Sequence, residues 1–147
     1  MLDDKDKIIL SQLKENARQT TKTIASKVKI PRVTVHDRIK KMIDQGIIKS
    51  FCTIPDYEKI GLPTKVFIFI SFRPDTKISQ RELANRIAKL NGVFEVHIIS
   101  GEYDLLIKVR GTSLEEIGKL VVDKLRKLEG VDKTLTCACF ETVKEEI

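Results

Sequence analysis

Residues 20–45, TTKTIASKVKIPRVTVHDRIKKMIDQ, contain two helical patterns separated by a tight turn. The threonines at its start are residue types that cap a helix N-terminus, and the apolar residues that follow recur at helical spacing. Pro31 fits the first position of the next helix, because its missing N–H would have no partner there. We therefore predict a short helix, a turn at residues 29–30 and a longer helix over residues 31–45.

The longer helix has one apolar face and one polar, mostly basic face. Val35, Ile39 and Met42 follow the spacing i, i+4, i+7 and mark the buried face. A short helix, a tight turn and a second helix with a basic outer face are typical of a helix-turn-helix, whose second helix enters the DNA major groove. We predict that this unit binds double-stranded DNA through Lys22, Arg32, Val33, Thr34, His36, Asp37, Arg38 and Lys41.

The side chains in this set suit different contacts. Arg32 is long enough to bind a guanine with two hydrogen bonds, the Thr34 methyl group could pack on a thymine methyl group, and Asp37 could accept a hydrogen bond from a cytosine amino group. Lys22, Arg38 and Lys41 are suited to phosphates.

The net charge of +6 is concentrated in the first part of the chain. Residues 1–60 hold thirteen basic and eight acidic side chains, whereas residues 61–147 hold fourteen and thirteen. Residues 18–41 hold eight basic side chains and a single acid, Asp37. A surface that meets nucleic-acid phosphates has this composition, but so does a solvated lysine-rich face. The helical pattern of residues 20–45 favours DNA.

The sequence on either side predicts a further helix and a strand. Asp3 is a suitable cap for a first helix that ends near Asn16. Gly46 ends the third helix, and residues 47–53 have the pattern of a short strand.

A linker with two prolines and one glycine, residues 55–63, separates this part from the rest of the chain. We place a DNA-binding domain with its linker strand and hinge at residues 1–62. A second domain for effector binding and oligomerisation is placed at residues 63–147.

The second part contains an internal repeat, in which Leu90-Asn91-Gly92-Val93 and Leu128-Glu129-Gly130-Val131 match at an offset of 38 residues. Each copy follows an amphipathic helical pattern that is itself preceded by a strand. The order predicts a ferredoxin-like βαββαβ domain with an antiparallel sheet, so that the whole chain is of the α+β class. The predicted strands are 64–72, 93–100, 103–110 and 131–140, the predicted helices are 79–90 and 113–128, and a tight Gly101-Glu102 hairpin lies between the two halves.

The first predicted strand is apolar at every position from Val66 to Ile70. A continuous apolar run is typical of a strand buried on both faces. Both helices lie on one face of the sheet, because βαβ crossovers are right-handed. We therefore predict that a second copy of the chain covers the other face, since two-fold homodimers are the commonest soluble assemblies.

Composition and spacing exclude several other classes of protein. The longest apolar run has five residues, whereas a membrane span needs about 18 or more, and the N-terminus is acidic where a signal peptide is basic. We expect no membrane partner and a cytoplasmic location. The odd number of cysteines indicates reduced thiols, and Cys137 and Cys139 are expected to be buried. No metal-ligand spacing, catalytic triad or phosphate-binding glycine loop occurs, so we expect no metal, no cofactor and no enzymatic activity.

Three motifs, in the same order along the chain, resemble the Lrp/AsnC family of transcription regulators. Residues 2–18 resemble the family's first helix, and Thr23-Ile24-Ala25 with residues 38–49 resembles its helix-turn-helix and following strand. Residues 101–109, GEYDLLIKV, resemble the hairpin of its effector domain. Pro31 and residues 33–37 depart from the family's commonest residues, so no operator sequence is carried over.

The resemblance implies a sequence-specific transcription regulator that forms dimers and assembles further into tetramers or octamers, and that works with the transcription machinery. It also implies that an amino acid or related metabolite binds between dimers near the hairpin. The candidate effector-binding residues are Gly101, Tyr103, Asp104, Thr134 and Thr136. Without the resemblance, Gly101 and Asp104 could equally have purely structural roles. A tight hairpin uses a glycine of positive φ, and an aspartate can cap its turn.

Two other functions remain compatible with parts of the sequence. An amino-acid-binding regulatory subunit of an enzyme would account for the second domain, but it leaves the basic helices without a role. A DNA-architectural protein without discrete operators would account for the basic helices. An RNA-binding domain is disfavoured, because the strand with Phe67 and Phe69 lacks the basic and glycine residues that flank an RNA-binding aromatic string.

Overall fold

A computed structural model describes residues 2–145 of the chain. These residues form two compact units, with the division between Ile54 and Pro55. Residues 55–62, which the composition assigned to the first domain, group with the second unit. None of the described helices is long and apolar enough to span a membrane.

The N-terminal unit has the three predicted helices, α1 (Asp4–Glu15), α2 (Thr21–Val28) and α3 (Arg32–Asp44). The Asp3 carboxylate caps α1, accepting a hydrogen bond of 2.8 Å from the Asp6 backbone N–H, and Thr20 caps α2 in the same way. Pro31 lies one position earlier than predicted. It is the residue before the helix, because its ψ of 141° is extended.

Seven buried side chains form the core of this unit, and each helix contributes at least one of them. The predicted strand at residues 47–53 does not form. A strand requires a partner for its backbone groups, and the described part of this unit has no other strand. The core residues are Ile9, Leu13, Ile24, Ile30, Val35, Met42 and Ile48.

The C-terminal unit is the predicted βαββαβ domain, with an antiparallel sheet in the order β2-β3-β1-β4. The first strand has the predicted bounds, and the others end within two residues of them. The helix predicted at residues 113–128 is not a continuous α-helix. Its first six residues, Leu114–Lys119, are α-helical, and a π-helical turn and a 3₁₀ turn follow them. The elements are β1 (Thr64–Phe72), α4 (Gln80–Ile87), β2 (Val93–Ile98), β3 (Leu105–Gly111), α5 (Leu114–Lys119), the π-helical turn (Leu120–Lys124), the 3₁₀ turn (Leu125–Lys127) and β4 (Val131–Ala138).

The two faces of the sheet differ in burial within one chain. Val66, Ile68 and Ile70 are completely buried among the helices, whereas Phe67 and Phe69 on the other face are only partly buried. The prediction of burial on both faces is therefore not met inside a single chain. We call this second side the open face; from the strand register it comprises Phe67, Phe69, Leu106, Lys108, Leu135 and Cys137.

The prediction of buried cysteines is wrong for the single chain. Cys137 is exposed and Cys139 is partly exposed, and both are free thiols. The pairing of Cys137 with Phe67 places it on the open face, which the helices do not cover. Cysteines are usually buried, but the strand register places Cys137 on the face of the sheet that the helices leave uncovered.

The connection between β2 and β3 is longer than the two-residue hairpin that we predicted. The Ile99 N–H donates to the Asp104 carbonyl at 2.9 Å, so that four residues, 100–103, form the turn. Gly101 has a φ of 125°, a backbone angle that residues other than glycine rarely adopt.

The glycines of the internal repeat are each followed by a strand and both have positive φ, 86° for Gly92 and 93° for Gly130. A Cβ on Gly130 would lie 3.0 Å from the Phe72 ring and 3.3 Å from Ile78. We expect Gly130→Ala to lower the free energy of unfolding by about 2–4 kcal/mol, because a left-handed conformation and overpacking both carry a cost. Urea denaturation measures this effect.

Gly118→Ala is the matched control for this substitution. Gly118 lies within α5, its φ is not positive, and apart from its chain neighbours and the backbone of its own helix no atom of the described residues lies within 4 Å of its Cβ position. The same change there is expected to be neutral or to stabilise the protein by up to about 1 kcal/mol. Equal stability of the two variants would contradict the packing described around Gly130.

Candidate functional site

Helix α3 presents a row of exposed polar and apolar side chains opposite the core of its unit. Val35 and Met42 are buried, with exposed fractions of 0% and 1%, whereas Val33 is 70% exposed. An exposed valine among basic residues is suited to contact a thymine methyl group. We define the recognition face as the exposed residues Arg32, Val33, His36, Asp37, Lys40 and Lys41.

Most residues predicted to bind DNA are accessible. Lys22 on α2 is exposed as well, and Thr34 is partly buried. Arg32 is tied to α2, since its Nε donates to the Thr21 hydroxyl at 3.3 Å. Lys40 was absent from the predicted set although the helical spacing places it on the outer face.

Arg38 differs from the rest of the predicted set. Its Nη1 lies 2.7 Å from a carboxylate oxygen of Asp3 and 2.7 Å from one of Asp6, and its side chain is only 24% exposed. These bonds tie α3 to the start of α1. The pairing argues against the phosphate contact that we predicted for Arg38 and favours a role in stabilising the helical unit.

Two hydrogen-bond donors hold the pKa of Asp3 below its ordinary value, the Asp6 backbone N–H and the Arg38 guanidinium. Because this pKa is lowered on folding, the carboxylate contributes stability above its ordinary pKa, and the contribution disappears as the pH falls through the folded value. We expect Arg38→Met to melt at a lower temperature than wild type at pH 7. The difference should shrink when the pH is lowered to about 2, because the Asp3 carboxylate is then progressively protonated.

Thermal unfolding followed by circular dichroism at both pH values tests this expectation. Arg18→Met is the control, because it removes an exposed cation without breaking a pair with Asp3 or Asp6. A loss of stability in Arg38→Met that is the same at both pH values would exclude the carboxylate pairs as its cause.

The loop at residues 99–104 is held to β1 mainly by Asp104. One carboxylate oxygen of Asp104 accepts a bond of 2.7 Å from the Phe72 N–H, and the Asp104 N–H donates to the Ile70 carbonyl at 3.0 Å. Tyr103 packs against Phe69 with ring centroids 5.4 Å apart. Asp104 is therefore a structural anchor of the loop. A structural role for this aspartate was the alternative to effector binding in the sequence analysis.

The other two candidate effector residues lie elsewhere. Thr134 and Thr136 pair with Ile70 and Ile68 on β1, so they lie on the helix side of the sheet, whereas Tyr103 packs over the open face. The Thr134 hydroxyl accepts a bond of 3.0 Å from Arg126 Nε. One chain thus does not gather the five residues into a single pocket, and a shared cleft would require a second chain.

Residues 2–145 contain no group of three or more histidine, cysteine or acidic side chains placed to hold a metal ion.

Comparisons with known proteins agree with the division of the chain into an N-terminal and a C-terminal unit. The sequence model of the Lrp/AsnC ligand binding domain matches residues 65–147, and the model of a winged helix-turn-helix DNA-binding domain matches residues 2–49. An HTH-type transcriptional regulator of Pyrococcus abyssi is 50% identical over 147 residues, which is 100% of this chain and 98% of that protein. The regulator LysM of Saccharolobus solfataricus is 37% identical over 96% of this chain and 95% of its own length.

Solved structures show the same fold. A transcriptional regulator of Neisseria meningitidis in complex with L-Met has a TM-score of 0.90 at 24% identity, covering 99% of this chain and 94% of that one. LrpC of Bacillus subtilis has a TM-score of 0.86 at 22% identity, covering 98% of each chain. These likenesses confirm the predicted fold class of both parts.

Proposed function

Because the chain belongs to the Lrp/AsnC family of helix-turn-helix transcriptional regulators, we propose that it binds discrete pseudo-palindromic DNA sites as a homodimer. The family consists of DNA-binding regulators rather than enzymes. In the proposed complex, two copies of α3 enter successive major grooves on one side of the DNA, about 34 Å or a multiple of that distance apart. As a regulator that acts on DNA, the protein would work in the cytoplasm.

The observation that carries the proposal is the recognition face. Arg32, His36, Lys40 and Lys41 are exposed on it together with Val33, while the opposite side of α3 is buried. Phosphate contacts supply affinity on any sequence, and base-edge contacts supply specificity. Arg32 and Val33 near the start of α3 are suited to base edges, and Lys41 and Lys22 are suited to phosphates.

The open face supports the dimer. Phe67 and Phe69 on β1 are partly exposed, and Leu135 on β4 is 45% exposed. Contiguous apolar surface of this kind marks an interaction site in a soluble protein. A second copy offers the same apolar side chains about a two-fold axis, so we assign the open face to the interface between two chains.

We further propose that an amino acid or related metabolite binds near the loop at residues 99–104, between dimers. The match to a ligand binding domain and the structural neighbour in complex with L-Met support a small effector. Gly101 leaves open space beside the backbone, where a carboxylate can approach the N–H groups. Thr134 and Thr136 would reach such a ligand from a neighbouring dimer.

An effector at this position would act by favouring one assembly over another, since a ligand shifts an equilibrium only through different affinities for its two states. The assemblies expected are tetramers or octamers of the chain, built from dimers. Contacts with the transcription machinery would then depend on how the assembly arranges the DNA.

Footprinting tests the geometry of the complex. On a fragment that the protein binds tightly, cleavage by DNase I should be blocked in two segments on one side of the duplex, with centres about 10 base pairs or a multiple apart. Amino acids added singly should change the extent of protection for one or a few of them. Uniform protection that spreads with protein concentration would contradict discrete binding by a dimer.

A further inference from the structure

Two cations lie side by side at one end of the sheet. Lys65 on β1 and Arg110 on β3 are direct cross-strand partners, and both point to the side of the open face. Only 8% of Lys65 and 9% of Arg110 is exposed. Like charges directly opposite each other destabilise a sheet, and burial of an unpaired charge is costly. The position therefore calls for a compensating anion.

The chain supplies this compensation only in part. The Tyr57 ring lies 3.8 Å from the Arg110 guanidinium carbon, and Thr142 accepts a hydrogen bond from the Lys65 ammonium group. The Glu145 carboxylate is 3.9 Å from Lys65 and 3.9 Å from Arg110, beyond hydrogen-bond length. Arg110 Nε is buried without a hydrogen-bond partner among residues 2–145.

A third cation, Lys108, completes the cluster and binds Glu145 and Glu95. Lys108 lowers the pKa of Glu145, so this carboxylate is ionised at neutral pH. Three cations then face two carboxylates. If Glu145 leaves, two positive charges remain uncompensated, which matches the charge of a dianion.

Two of the three cations, Lys65 and Arg110, line a groove of about 490 Å³ together with Tyr57 and Thr142. Three further carboxylates line the same groove at exposed positions, and one of them is already paired, since Asp56 lies 3.0 Å from Lys59. The other two, Glu58 and Glu141, are exposed to solvent, which screens their charge. The buried part of the groove is thus cationic.

We propose that Lys65 and Arg110 form a binding site for a small organic dianion such as a dicarboxylate, and that Glu145 compensates their charge as an internal substitute when no ligand is bound. The site differs from the loop at residues 99–104. Arg110 lies five residues along β3 from Leu105, next to that loop, which corresponds to about 17 Å of strand. It is a second ligand site, beyond the effector position proposed above.

Calorimetric titration with succinate, at an ionic strength fixed with sodium chloride, tests this site on the full chain. We expect Glu145→Gln to bind succinate about tenfold more tightly than wild type, because the internal competitor is removed. Arg110→Gln should lose succinate binding. Glu115→Gln and Lys133→Gln are the charge-matched controls at exposed positions and should behave as wild type.

Two outcomes would overturn the proposal. Glu145→Gln that binds no succinate would show that the cations serve only the chain's own carboxylate. Equal binding by Arg110→Gln and Lys133→Gln would show that succinate binds by net charge alone. If Arg110→Gln does not fold, Lys65→Gln in the Glu145→Gln background replaces it, and undiminished binding there would also overturn the site. Acetate, a monoanion, should bind more weakly than succinate to Glu145→Gln.

Discussion

Replacing Phe69 by glutamate should convert the protein from a dimer into folded monomers. Phe69 is partly exposed within one chain, so the substitution spares the core of the domain. On the open face of a dimer, the same carboxylate would be buried without a partner, which costs about 3–5 kcal/mol. We therefore expect dimer dissociation to become about a hundredfold to ten-thousandfold easier.

Sedimentation equilibrium of the variant measures this change. The control is Leu114→Glu, which adds the same charge at a position on the helix side that is 55% exposed. It should remain dimeric. If Phe69→Glu is as dimeric as Leu114→Glu, the interface lies elsewhere on the molecule.

The loss of the dimer should also be visible in DNA binding. Two linked recognition helices gain about 10²–10⁴ in apparent affinity over one, without any new contact. Phe69→Glu should therefore lose most of its affinity for a two-half-site fragment although its recognition face is unchanged. This loss of affinity distinguishes a dimer that binds both half-sites at once from two chains that each bind one half-site independently.

Substitutions on the recognition face should have the second large effect, and the two types of contact should separate. Lys41→Ala is expected to weaken binding to every sequence and to reduce the salt dependence by about one unit per half-site, because one phosphate contact is lost. Arg32→Ala should cost about 1–3 kcal/mol per half-site at one base position and relax specificity there.

Titrations at several salt concentrations, on a selected site and on unrelated DNA, measure both effects. Lys133→Ala is the control, since it removes one exposed lysine from the C-terminal unit. A salt dependence that falls equally in Lys41→Ala and Lys133→Ala would reduce the role of Lys41 to its contribution to net charge.

Local signals in the sequence were sufficient for most of the fold. The caps at Asp3 and Thr20 set the starts of α1 and α2, and the apolar run of β1 gave that strand its correct bounds. The internal repeat placed Gly92 and Gly130 at equivalent turns, and both have positive φ. These features depend on residues close together in the chain, where spacing alone carries the information.

Features that depend on distant residues were not predictable in this way. Arg38 is 35 residues from Asp3, and only the packing of α3 against α1 shows that it is tied to an acid. The segment at residues 47–53 has a strand's composition, but a strand needs a partner, and the described part of the N-terminal unit contains no other strand. Lys65 and Arg110 become neighbours only through the register of β1 and β3.

The effector residues show the same limit. The alternation along β4 is clear from the sequence, but the face to which Thr134 and Thr136 belong follows from their pairing with β1. That pairing places them away from Tyr103. The motif around Gly101 could therefore identify the loop, but the residues that complete a cleft with it depend on the assembly.

Selection of DNA fragments from the source genome tests the central claim most directly. The purified protein is mixed with the fragments at near-physiological salt with excess nonspecific competitor, and the retained fragments are sequenced, with and without an amino-acid mixture. We predict a few discrete pseudo-palindromic sites whose half-sites are about one helical turn or a multiple apart, with retention that changes when amino acids are added. Salt-sensitive retention of fragments without a shared sequence would contradict a sequence-specific regulator and favour an architectural DNA-binding protein.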